Sequence, residues 1–306
     1  MPQFSIIIPC FNAEETISQT IASLQSQTLT DWEAICVDDG STDHTGAMIK
    51  LEAQFDPRIR LVANTGKGPS AARNLGALKE ATGDFIAFCD ADDLWLPTKL
   101  QELSATFADP NVDGVFGQIG FFQDSPEDAH VYSTVPVGKL SMDMLLGENP
   151  VCTMSNFALR AAAFSRTEGF DVGMVHNEDL EWLIRLVGQG ANVIGLPSLQ
   201  TWYRTSIGGL STDLDAMLAG RSQALQTAAR FGVKPSNKSN AVHHRYLARR
   251  ALRLGAGRTE AIHHTLKGIA YSPVGFLTPF RRGALTAAGA ASALVLPSDL
   301  TRNLFS

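Results

Sequence analysis

The chain has 306 residues, of which 44% are hydrophobic and 18% are charged, so it is long enough to bury the core of one large domain with a smaller appendage. The 25 Lys and Arg residues stand against 31 Asp and Glu residues, which gives a net charge of -6. This acidic balance argues against a nucleic-acid-binding protein that relies on a broad basic face.

The amino terminus and the cysteines indicate a reducing compartment. The first residues lack the basic region of a secretory signal, and no run of roughly 18 or more apolar residues predicts a transmembrane helix. Cys10, Cys36, Cys89 and Cys152 are far apart and show neither zinc-type spacing nor a disulfide framework. We therefore expect a cytoplasmic protein.

Short apolar runs alternate with amphipathic segments over the first two-thirds of the chain, which predicts strands joined by helices over a largely parallel sheet. The first predicted strand is Ser5–Cys10 (SIIIPC). Asn12 and Glu15 have the spacing of a capping box and predict the start of a helix. The second strand, within WEAICVDDGSTD, ends at Asp38 and Asp39.

Two further strands are predicted, at IRLV and in DFIAFCDADD, and the segment GPSAARNLGALKEATG between them predicts a loop followed by a helix. A helix is also predicted for PTKLQELSATF. The carboxyl ends of parallel strands lie at one edge of a sheet, and ligands bind there. We therefore expect Asp38, Asp39, Asp90 and Asp92 to converge on one site.

The second half of the chain is less regular. VDGVFGQIGFF and VCTMSNFALR predict strands that a polar surface loop, Gln123–Gly138, separates. NEDLEWLIRLVGQG predicts an amphipathic helix, and two short strands are predicted near Asn192–Leu196 and Leu199–Arg204. The whole pattern predicts an α/β domain over residues 1–210 and a helical carboxy-terminal extension over residues 211–306.

Three carboxylates follow one apolar run in the segment IAFCDADDLWL. Asp90, Asp92 and Asp93 would repel one another unless a cation, a donor group or water takes up their charge. Oxygen ligands without His or Cys suit Mg²⁺ or Mn²⁺, and Mg²⁺ is usually held by one or two carboxylates plus substrate phosphates. The pattern predicts a divalent metal and a diphosphate ligand. We expect Asp93 to cap or solvate the turn at Trp95.

Basic side chains are expected at the same edge of the sheet. The loop NTGKGPSAARN brings Lys67 and Arg73 there, and Arg suits phosphate oxygens. Arg204 ends a predicted strand near this edge and is expected to contact the diphosphate or the acceptor. The spacings of the P-loop and of the dinucleotide fingerprint are absent, which disfavours P-loop phosphoryl transfer and hydride transfer.

Three segments together resemble family-two glycosyltransferases, which have the nucleotide-diphospho-sugar-binding fold called GT-A. The segments are SIIIPCFNAEETISQTIASLQSQTLTDWEAICVDDGSTDHT, GPSAARNLGALKEATGDFIAFCDADDLWLPTKL and NEDLEWLIRL. The resemblance extends over roughly Phe4–Arg204. It implies a GT-A fold, a mostly parallel central sheet flanked by helices.

The resemblance also implies roles for single residues. Asp39, or its neighbour Asp38, is similar to the family carboxylate that accepts a hydrogen bond from the nucleotide base, commonly the uracil of UDP. Pro9 and Phe11 would form the wall beside that base.

Further roles follow from the family's Asp-x-Asp and acidic helix start. Asp90 and Asp92 match the Asp-x-Asp, with Asp92 as the metal ligand and Asp90 near the ribose or the metal. Asp179 matches the catalytic base, and Glu178, the other member of this acidic pair, is expected to contact the substrate. The implied reaction inverts the anomeric centre and moves one sugar from a nucleotide-diphospho-sugar, a UDP-sugar above all, to a hydroxyl of a cell-envelope or lipid-linked glycan.

Two alternatives stay open, a nucleotidyltransferase on a related fold and a non-catalytic module that binds sugar nucleotides or glycans. The sequence indicates no oligomeric state. The tail segment SPVGFLTPFRRGALTAAG could lie against the inner face of a membrane, with Phe276, Leu277 and Phe280 in the bilayer and Arg281 and Arg282 at the headgroups.

Overall fold

The computed structural model describes residues 1–205, 214–255 and 259–296. The chain divides into two compact units. The first consists of Met1–Leu140 with Pro150–Thr227, and the second of Ser141–Asn149 with Ala228–Ser306. The predicted boundary between residues 210 and 211 lies outside the described residues and stays a prediction.

Within the described residues, nine strands form one sheet in the order β3-β2-β1-β4-β8-β6-β9-β5, and β7 pairs with β6. The strands are β1 (Phe4–Cys10), β2 (Trp32–Asp38), β3 (Ile59–Ala63), β4 (Phe85–Phe88), β5 (Leu94–Trp95), β6 (Gly114–Phe122), β7 (Val131–Tyr132), β8 (Phe157–Arg160) and β9 (Val193–Arg204). β3, β2, β1 and β4 are parallel. β8 is antiparallel to both β4 and β6.

Helices connect and flank these strands. They are α1 (Ile17–Gln25), α2 (Thr45–Phe55), α3 (Pro69–Leu75), α4 (Lys99–Phe107), α5 (Met142–Gly147), α6 (Ala161–Arg166), α7 (Glu178–Gly188), α8 (Leu214–Arg230), α9 (Asn237–Leu254), α10 (Glu260–Tyr271), α11 (Pro273–Leu277) and α12 (Phe280–Ser292). A π-helical segment, Gly76–Glu80, continues α3. The predicted α/β class and the carboxy-terminal helices are confirmed.

The core of the first unit explains why β1 lies in the centre of the sheet. Phe4, Ile6, Ile7 and Ile8 are all fully buried, as expected for a strand that is covered on both faces. On one side, helix α1 buries the apolar face predicted for it. Trp182 of α7 is also fully buried among aromatic rings and donates a hydrogen bond from Nε1 to Thr167 Oγ1 at 2.8 Å.

Three local predictions are wrong. Asn12 does not cap α1, because it has a left-handed φ of 46° and its side chain instead accepts a hydrogen bond from Thr42 N. The strand predicted in VCTMSNFALR is shorter than expected and consists of β8 alone, because a 3-10 turn occupies Met154–Asn156. The two short strands predicted after α7 are one strand, β9, whose register against β6 shifts near Gln118.

The second unit contains α5 and α9–α12, and its described residues correct one part of the predicted membrane contact. Phe276 is fully buried and cannot reach a bilayer. A Cβ at Gly268 would lie 2.6 Å from Phe276 Cδ2, so α10 needs glycine where this ring packs. Phe280, in contrast, is 73% exposed. Among the helices of the described residues, we find none with an apolar stretch long enough to span a membrane.

Candidate active site

The carboxyl ends of β1, β2 and β4 bring the predicted acidic residues to one edge of the sheet. β1 lies between β2 and β4, and Cys10 at its end is paired with Asp38. Asp39 continues past β2 and donates a hydrogen bond from its backbone N to Cys10 O at 2.8 Å. Asp90 and Asp92 follow β4. Parallel pairing therefore explains why residues so distant in sequence approach one another.

Asp39 organises one end of this edge. Its Oδ1 accepts a hydrogen bond from Asn64 Nδ2 at 2.7 Å, and its Oδ2 accepts one from Gly68 N at 2.9 Å. Lys67 Nζ lies 3.4 Å from the same Oδ2 and 4.8 Å from the centre of the Phe11 ring. Phe11 is 54% exposed. The result is a carboxylate, an ammonium group and an accessible aromatic face around one opening.

Asp38 is used differently from Asp39. Its Oδ1 accepts hydrogen bonds from Ser41 N at 3.1 Å and from Ser41 Oγ at 2.5 Å, so it stabilises the turn after β2. The Ser41 Oγ also accepts a hydrogen bond from Asn12 N at 3.0 Å, which fixes the loop after β1. Pro9 is half-buried in β1, opposite Val37.

Arg73 joins the end of β4 to the start of α7. Its guanidinium is buried, with Nη2 2.6 Å from Asp90 Oδ1 and Nη1 3.3 Å from Glu178 Oε1. Burial acts to lower the pKa of Arg73, but Asp90 and Glu178 outweigh it and the pKa is raised. Thr153 Oγ1 donates to the other Asp90 oxygen at 3.3 Å. A direct contact of Arg73 with phosphate stays a prediction, because two carboxylates already hold its guanidinium.

Asp179 lies in the first turn of α7, next to the residue that Arg73 holds. Burial raises the pKa of Asp179 to about 7, and the neighbouring charge of Glu178 adds to this effect. The helix begins after Asn177, which has a left-handed φ of 58°. Its amino terminus favours the negative charges of this turn. A carboxylate with a pKa near neutrality suits proton transfer.

Asp92 has the features expected of a cation ligand. Its side chain is half-buried and, within the described residues, has no hydrogen-bond partner on another residue. Burial raises the pKa of Asp92 to about 6, and the charge of Asp90 adds to the shift. Arg204 Nε donates to the backbone O of Asp92 at 3.0 Å, and Arg204 Nη2 donates to Gln19 Oε1 at 2.8 Å. Arg204 therefore fixes the backbone that carries Asp92.

The prediction that Asp93 would cap or solvate the turn at Trp95 is wrong. Asp93 is fully buried, and its Oδ1 accepts a hydrogen bond from Arg204 N at 2.9 Å. Burial raises the pKa of Asp93 well above its usual range. The nearby Lys99 is buried as well, with its pKa lowered to about 7 by burial. A polar layer thus lies beneath the acidic edge.

Ser155 connects this layer to the edge above it. Its backbone O accepts hydrogen bonds from Lys99 Nζ at 2.8 Å, from Trp95 Nε1 at 2.9 Å and from Thr201 Oγ1 at 3.2 Å. Its Oγ accepts a hydrogen bond from Asp90 N at 2.8 Å. Ser155 is therefore a positioning residue for the start of the acidic segment.

The donor set of this edge fits a divalent cation. Within the residues that the structure describes, no three His, Cys, Asp or Glu side chains are grouped as metal ligands. The half-buried Asp92 carboxylate follows Asp90 closely in the chain and has no hydrogen-bond partner on another described residue, so a cation could bind it. Asp90 has partners on both oxygens. Asp92 would be the main protein ligand, with Asp90 beside it, and substrate phosphate oxygens would complete the coordination.

Sequence reasoning missed Asn64, Thr153 and Ser155. Each hydrogen-bonds a residue of the acidic edge that lies 25 or more positions away, and Asn, Thr and Ser occur in loops of every kind. The one available signal for Asn64 was its place directly after β3 at the same sheet edge.

Comparisons with known proteins agree with this geometry. The family model "Glycosyl transferase family 2" matches residues 5–167. The Escherichia coli UDP-Glc:alpha-D-GlcNAc-diphosphoundecaprenol beta-1,3-glucosyltransferase WfgD is 32% identical over 213 residues, which are 68% of this chain and 79% of that protein. WfaP of E. coli, whose name states the same reaction, is 27% identical over 81% of this chain and 91% of its own length. A match to the uncharacterized EpsJ of Bacillus subtilis covers only 36% of that relative.

Solved structures share the fold at low sequence identity. S. aureus TarS 1-349 in complex with UDP-GlcNAc has a TM-score of 0.64 and 15% identity, and the match covers 96% of this chain and 91% of that chain. The mannosyltransferase PcManGT from Pyrobaculum calidifontis, in complex with GDP-Man and Mn²⁺, has a TM-score of 0.63 and 23% identity, and the match covers 99% and 84% of the two chains. The chain belongs to glycosyl transferase family 2 and is a glycosyltransferase with the GT-A fold.

Proposed function

We propose that the protein transfers one sugar from a UDP-sugar to a hydroxyl of a lipid-linked, cell-envelope glycan, with inversion at the anomeric carbon and with Mg²⁺ or Mn²⁺ as cofactor. The observation that carries the proposal is the convergence of Asp39, Asp92 and Asp179 on one edge of the sheet. These three carboxylates come from the ends of β2 and β4 and from the start of α7.

Asp39 and its surroundings suit the nucleoside. The carboxylate still has lone pairs that can accept a hydrogen bond from the N–H of a uracil, because a carboxylate accepts about four. The exposed Phe11 ring provides a face on which a base can stack, and Pro9 lies two residues before it in the chain. Lys67, which is 74% exposed at its side chain, can turn toward the phosphates. Asp38 is assigned no contact with the nucleotide, because it already stabilises the turn after β2.

Asp179 is the proposed base. It takes the proton from the acceptor hydroxyl while the acceptor oxygen forms a bond to the anomeric carbon and the bond from that carbon to the diphosphate oxygen breaks. The nucleoside diphosphate leaves with the bonding electron pair. Because the acceptor attacks from the face opposite the leaving group, an α-linked donor gives a β-linked product.

The pair Arg73 and Glu178 positions this base relative to the donor. Arg73 holds Glu178 and Asp90 at the same time, so the helix that carries Asp179 is tied to the segment after β4 that carries Asp92. A divalent cation held by Asp92 and Asp90 would supply positive charge that stabilises the departing diphosphate. Arg204 keeps the backbone of Asp92 in place through its hydrogen bond to the backbone O.

The relatives support the choice of substrates. The names of WfgD and WfaP give UDP-Glc as the donor and a GlcNAc-diphosphoundecaprenol as the acceptor. We extend this class of donor and acceptor to the present chain, together with a cytoplasmic location at the inner face of the membrane where such lipids are used.

The test is an assay with UDP-Glc or UDP-GlcNAc, Mn²⁺ and a polyprenyl-diphosphate-linked GlcNAc acceptor. We expect release of UDP and a β-linked disaccharide, identified by the anomeric coupling in NMR. Release of inorganic diphosphate from UTP would instead indicate a nucleotidyltransferase. Tight binding of UDP-sugars with neither transfer nor hydrolysis would indicate a non-catalytic module.

A further inference from the structure

The second compact unit contains arginine side chains that the proposed sugar transfer does not use. Arg245, Arg249 and Arg253 are spaced by four residues on α9, so they follow one face of the helix. Arg282 of α12 shares one carboxylate with Arg245, since Arg282 Nη2 lies 2.5 Å from Glu148 Oε1 and Arg245 Nη2 lies 3.9 Å from Glu148 Oε2. We name these four arginines the arginine cluster.

The charges of this cluster do not balance. Four guanidinium groups and the carboxylate of Glu148 interact with one another, and these five side chains have a net charge of +3. Like charges at positions i and i+4 destabilise a helix. An anion bound among these groups would remove the repulsion.

Arg249 shows the imbalance most clearly. It is half-buried, and within the described residues it has neither a hydrogen bond nor an ion pair. Burial lowers the pKa of Arg249 to about 10, and the charges of Arg282 and Arg253 add to the shift. The Nε of Arg245, which is buried, also has no acceptor within the described residues. Partly desolvated N–H donors without acceptors are costly.

Two members of the cluster, Arg245 and Arg282, have structural partners that Arg249 and the exposed Arg253 lack within the described residues. Arg245 Nη1 donates to Phe276 O at 3.0 Å and to Thr278 O, which fixes the end of α11 against α9. Arg282 pairs with Glu148. These contacts hold α9 against α11 and hold α12 to Glu148. They do not involve the guanidinium of Arg249, which has no such structural contact within the described residues.

We propose that the arginine cluster is an anion site that binds phosphate groups, with Arg249 as its main free donor. Guanidinium groups bind phosphate oxygens through paired N–H donors, and several such groups suit a diphosphate better than a single phosphate. The identity of the ligand rests on the proposed function, under which it is the diphosphate of the lipid-linked acceptor.

Apolar side chains on α12 favour a lipid-linked diphosphate over a free one. Phe280 and Leu285 are 73% and 51% exposed, and Arg282 lies between them in the helix. Leu285 is three residues after Arg282, which places the two side chains on neighbouring parts of the helix surface. A polyprenyl chain attached to the bound diphosphate would have apolar surface available here.

The test measures binding of two probes, inorganic diphosphate and farnesyl diphosphate, to the full chain by isothermal titration in EDTA. We expect the Arg249→Ala variant to raise the Kd of farnesyl diphosphate at least about tenfold, because one charge-assisted donor is lost. The matched control is Lys267→Ala, which removes one positive charge from an exposed position of α10 and should leave the Kd unchanged. The melting temperature of Arg249→Ala should equal or exceed that of the unsubstituted chain, since like-charge repulsion is relieved.

Each outcome decides the proposal. Tighter binding of farnesyl diphosphate than of inorganic diphosphate supports a lipid-linked ligand, and equal binding supports the anion site with a free phosphate compound as its ligand. Absence of binding, or unchanged binding in Arg249→Ala, overturns the site. The Asp92→Asn variant separates this result from the proposed function, because it should bind farnesyl diphosphate normally while losing the metal-dependent binding of UDP.

Discussion

The two units of the molecule have uncompensated charges of opposite sign. At the sheet edge of the first unit, Asp92 is the carboxylate without a hydrogen-bond partner on another described residue, and its pKa is raised to about 6 by burial. In the second unit, the half-buried Arg249 has no hydrogen-bond or ion-pair partner within the described residues, and its pKa is lowered to about 10 by burial. In both places the fold brings like charges together, and a ligand of the opposite charge would reduce the electrostatic repulsion between them.

The comparison shows which residues belong to the scaffold of each site and which face a ligand. Asp90 and Arg245 each bind two or more groups of the protein, so they are parts of the scaffold. Asp92 and Arg249 are the members whose charge is left for a ligand. Substitution of the unpartnered member should therefore affect ligand binding strongly and stability little.

The largest effect is expected for Asp179→Asn, which removes the proposed base. Loss of a general base typically costs ~10² to 10⁴ in rate. Because the pKa of Asp179 is raised to about 7, the rate of the unsubstituted enzyme should rise with pH up to about 7 and level off above it. Steady-state transfer rates at pH 5.5–9 measure both effects. An activity within a factor of three of the unsubstituted enzyme, with the same pH profile, would exclude Asp179 as the base.

The next effect is expected for Asp92→Asn, which removes the proposed metal ligand. Activity should fall roughly 100-fold, because outer-shell partners of metal ligands alone cost 10- to 100-fold when they are lost. The control is Asp84→Asn, an exposed carboxylate just before the other end of β4, which should retain full activity. Equal losses in the two variants would contradict the assignment.

Asp92→Asn should also change how stability depends on pH. The pKa of Asp92 is raised in the folded state, so the folded chain binds more protons than the unfolded chain between about pH 4 and pH 6, and stability falls as the pH rises through this window. Asparagine cannot titrate. Without metal, the variant should therefore melt at a higher temperature than the unsubstituted chain at pH 8 and at a similar temperature at pH 4. A lower melting temperature at pH 8 would show that the carboxylate stabilises the fold.

A smaller effect is expected for Asp39→Asn at the nucleoside end of the site. The variant loses the charge that pairs with Lys67 and the acceptor proposed for the base, and hydrogen bonds to charged groups contribute about 1.5–3 kcal/mol. The KM for the UDP-sugar should rise about tenfold or more with a smaller change in kcat. Asp31→Asn, an exposed carboxylate just before the opposite end of β2, is the matched control. A change in kcat alone would place Asp39 outside the nucleoside pocket.

The smallest effect is expected for Lys99→Met beneath the edge. Ser155 O keeps two other donors, Trp95 Nε1 and Thr201 Oγ1, and a buried charge is often replaced by an apolar residue without loss of stability. The change in unfolding free energy at pH 10 should stay within about 1.5 kcal/mol.

The pKa of Lys99 is lowered to about 7, so its burial costs stability most at and below pH 7 and least near pH 10. The advantage of Lys99→Met over the unsubstituted chain should therefore shrink as the pH rises from 7 to 10 in denaturant melts. An advantage that grows with pH would contradict a lowered pKa.

Much of the sheet could be predicted from local patterns. β1 to β4 could be predicted from continuous apolar runs, because strands buried on both faces are apolar throughout. α7 could be predicted from its helical periodicity, because a helix that is buried on one face has apolar residues three and four positions apart. The placing of carboxylates at strand ends followed from the rule that parallel strands end at one edge. What failed depended on tertiary contacts. Asn12 has capping spacing but binds Thr42 instead.

Burial of single residues was the other source of error. Asp93 and Phe276 were expected at the surface, and both are fully buried. Nothing in the local sequence distinguishes the buried Asp93 from the half-buried Asp90 and Asp92, since the contact from Arg204 N to Asp93 spans 111 positions. The role of Ser155 likewise depends on a partner 65 positions away. Such residues become visible only when the chain is folded.

The most direct test of the account is a thermal-shift titration of UDP with and without Mn²⁺, on the unsubstituted chain and on Asp92→Asn, because a ligand that binds the folded state raises apparent stability by mass action. The account predicts a large shift that requires Mn²⁺ in the unsubstituted chain and is lost in Asp92→Asn. A shift of equal size in both chains, or one that does not depend on Mn²⁺, would contradict the claim that Asp92 holds a cation beside the nucleotide.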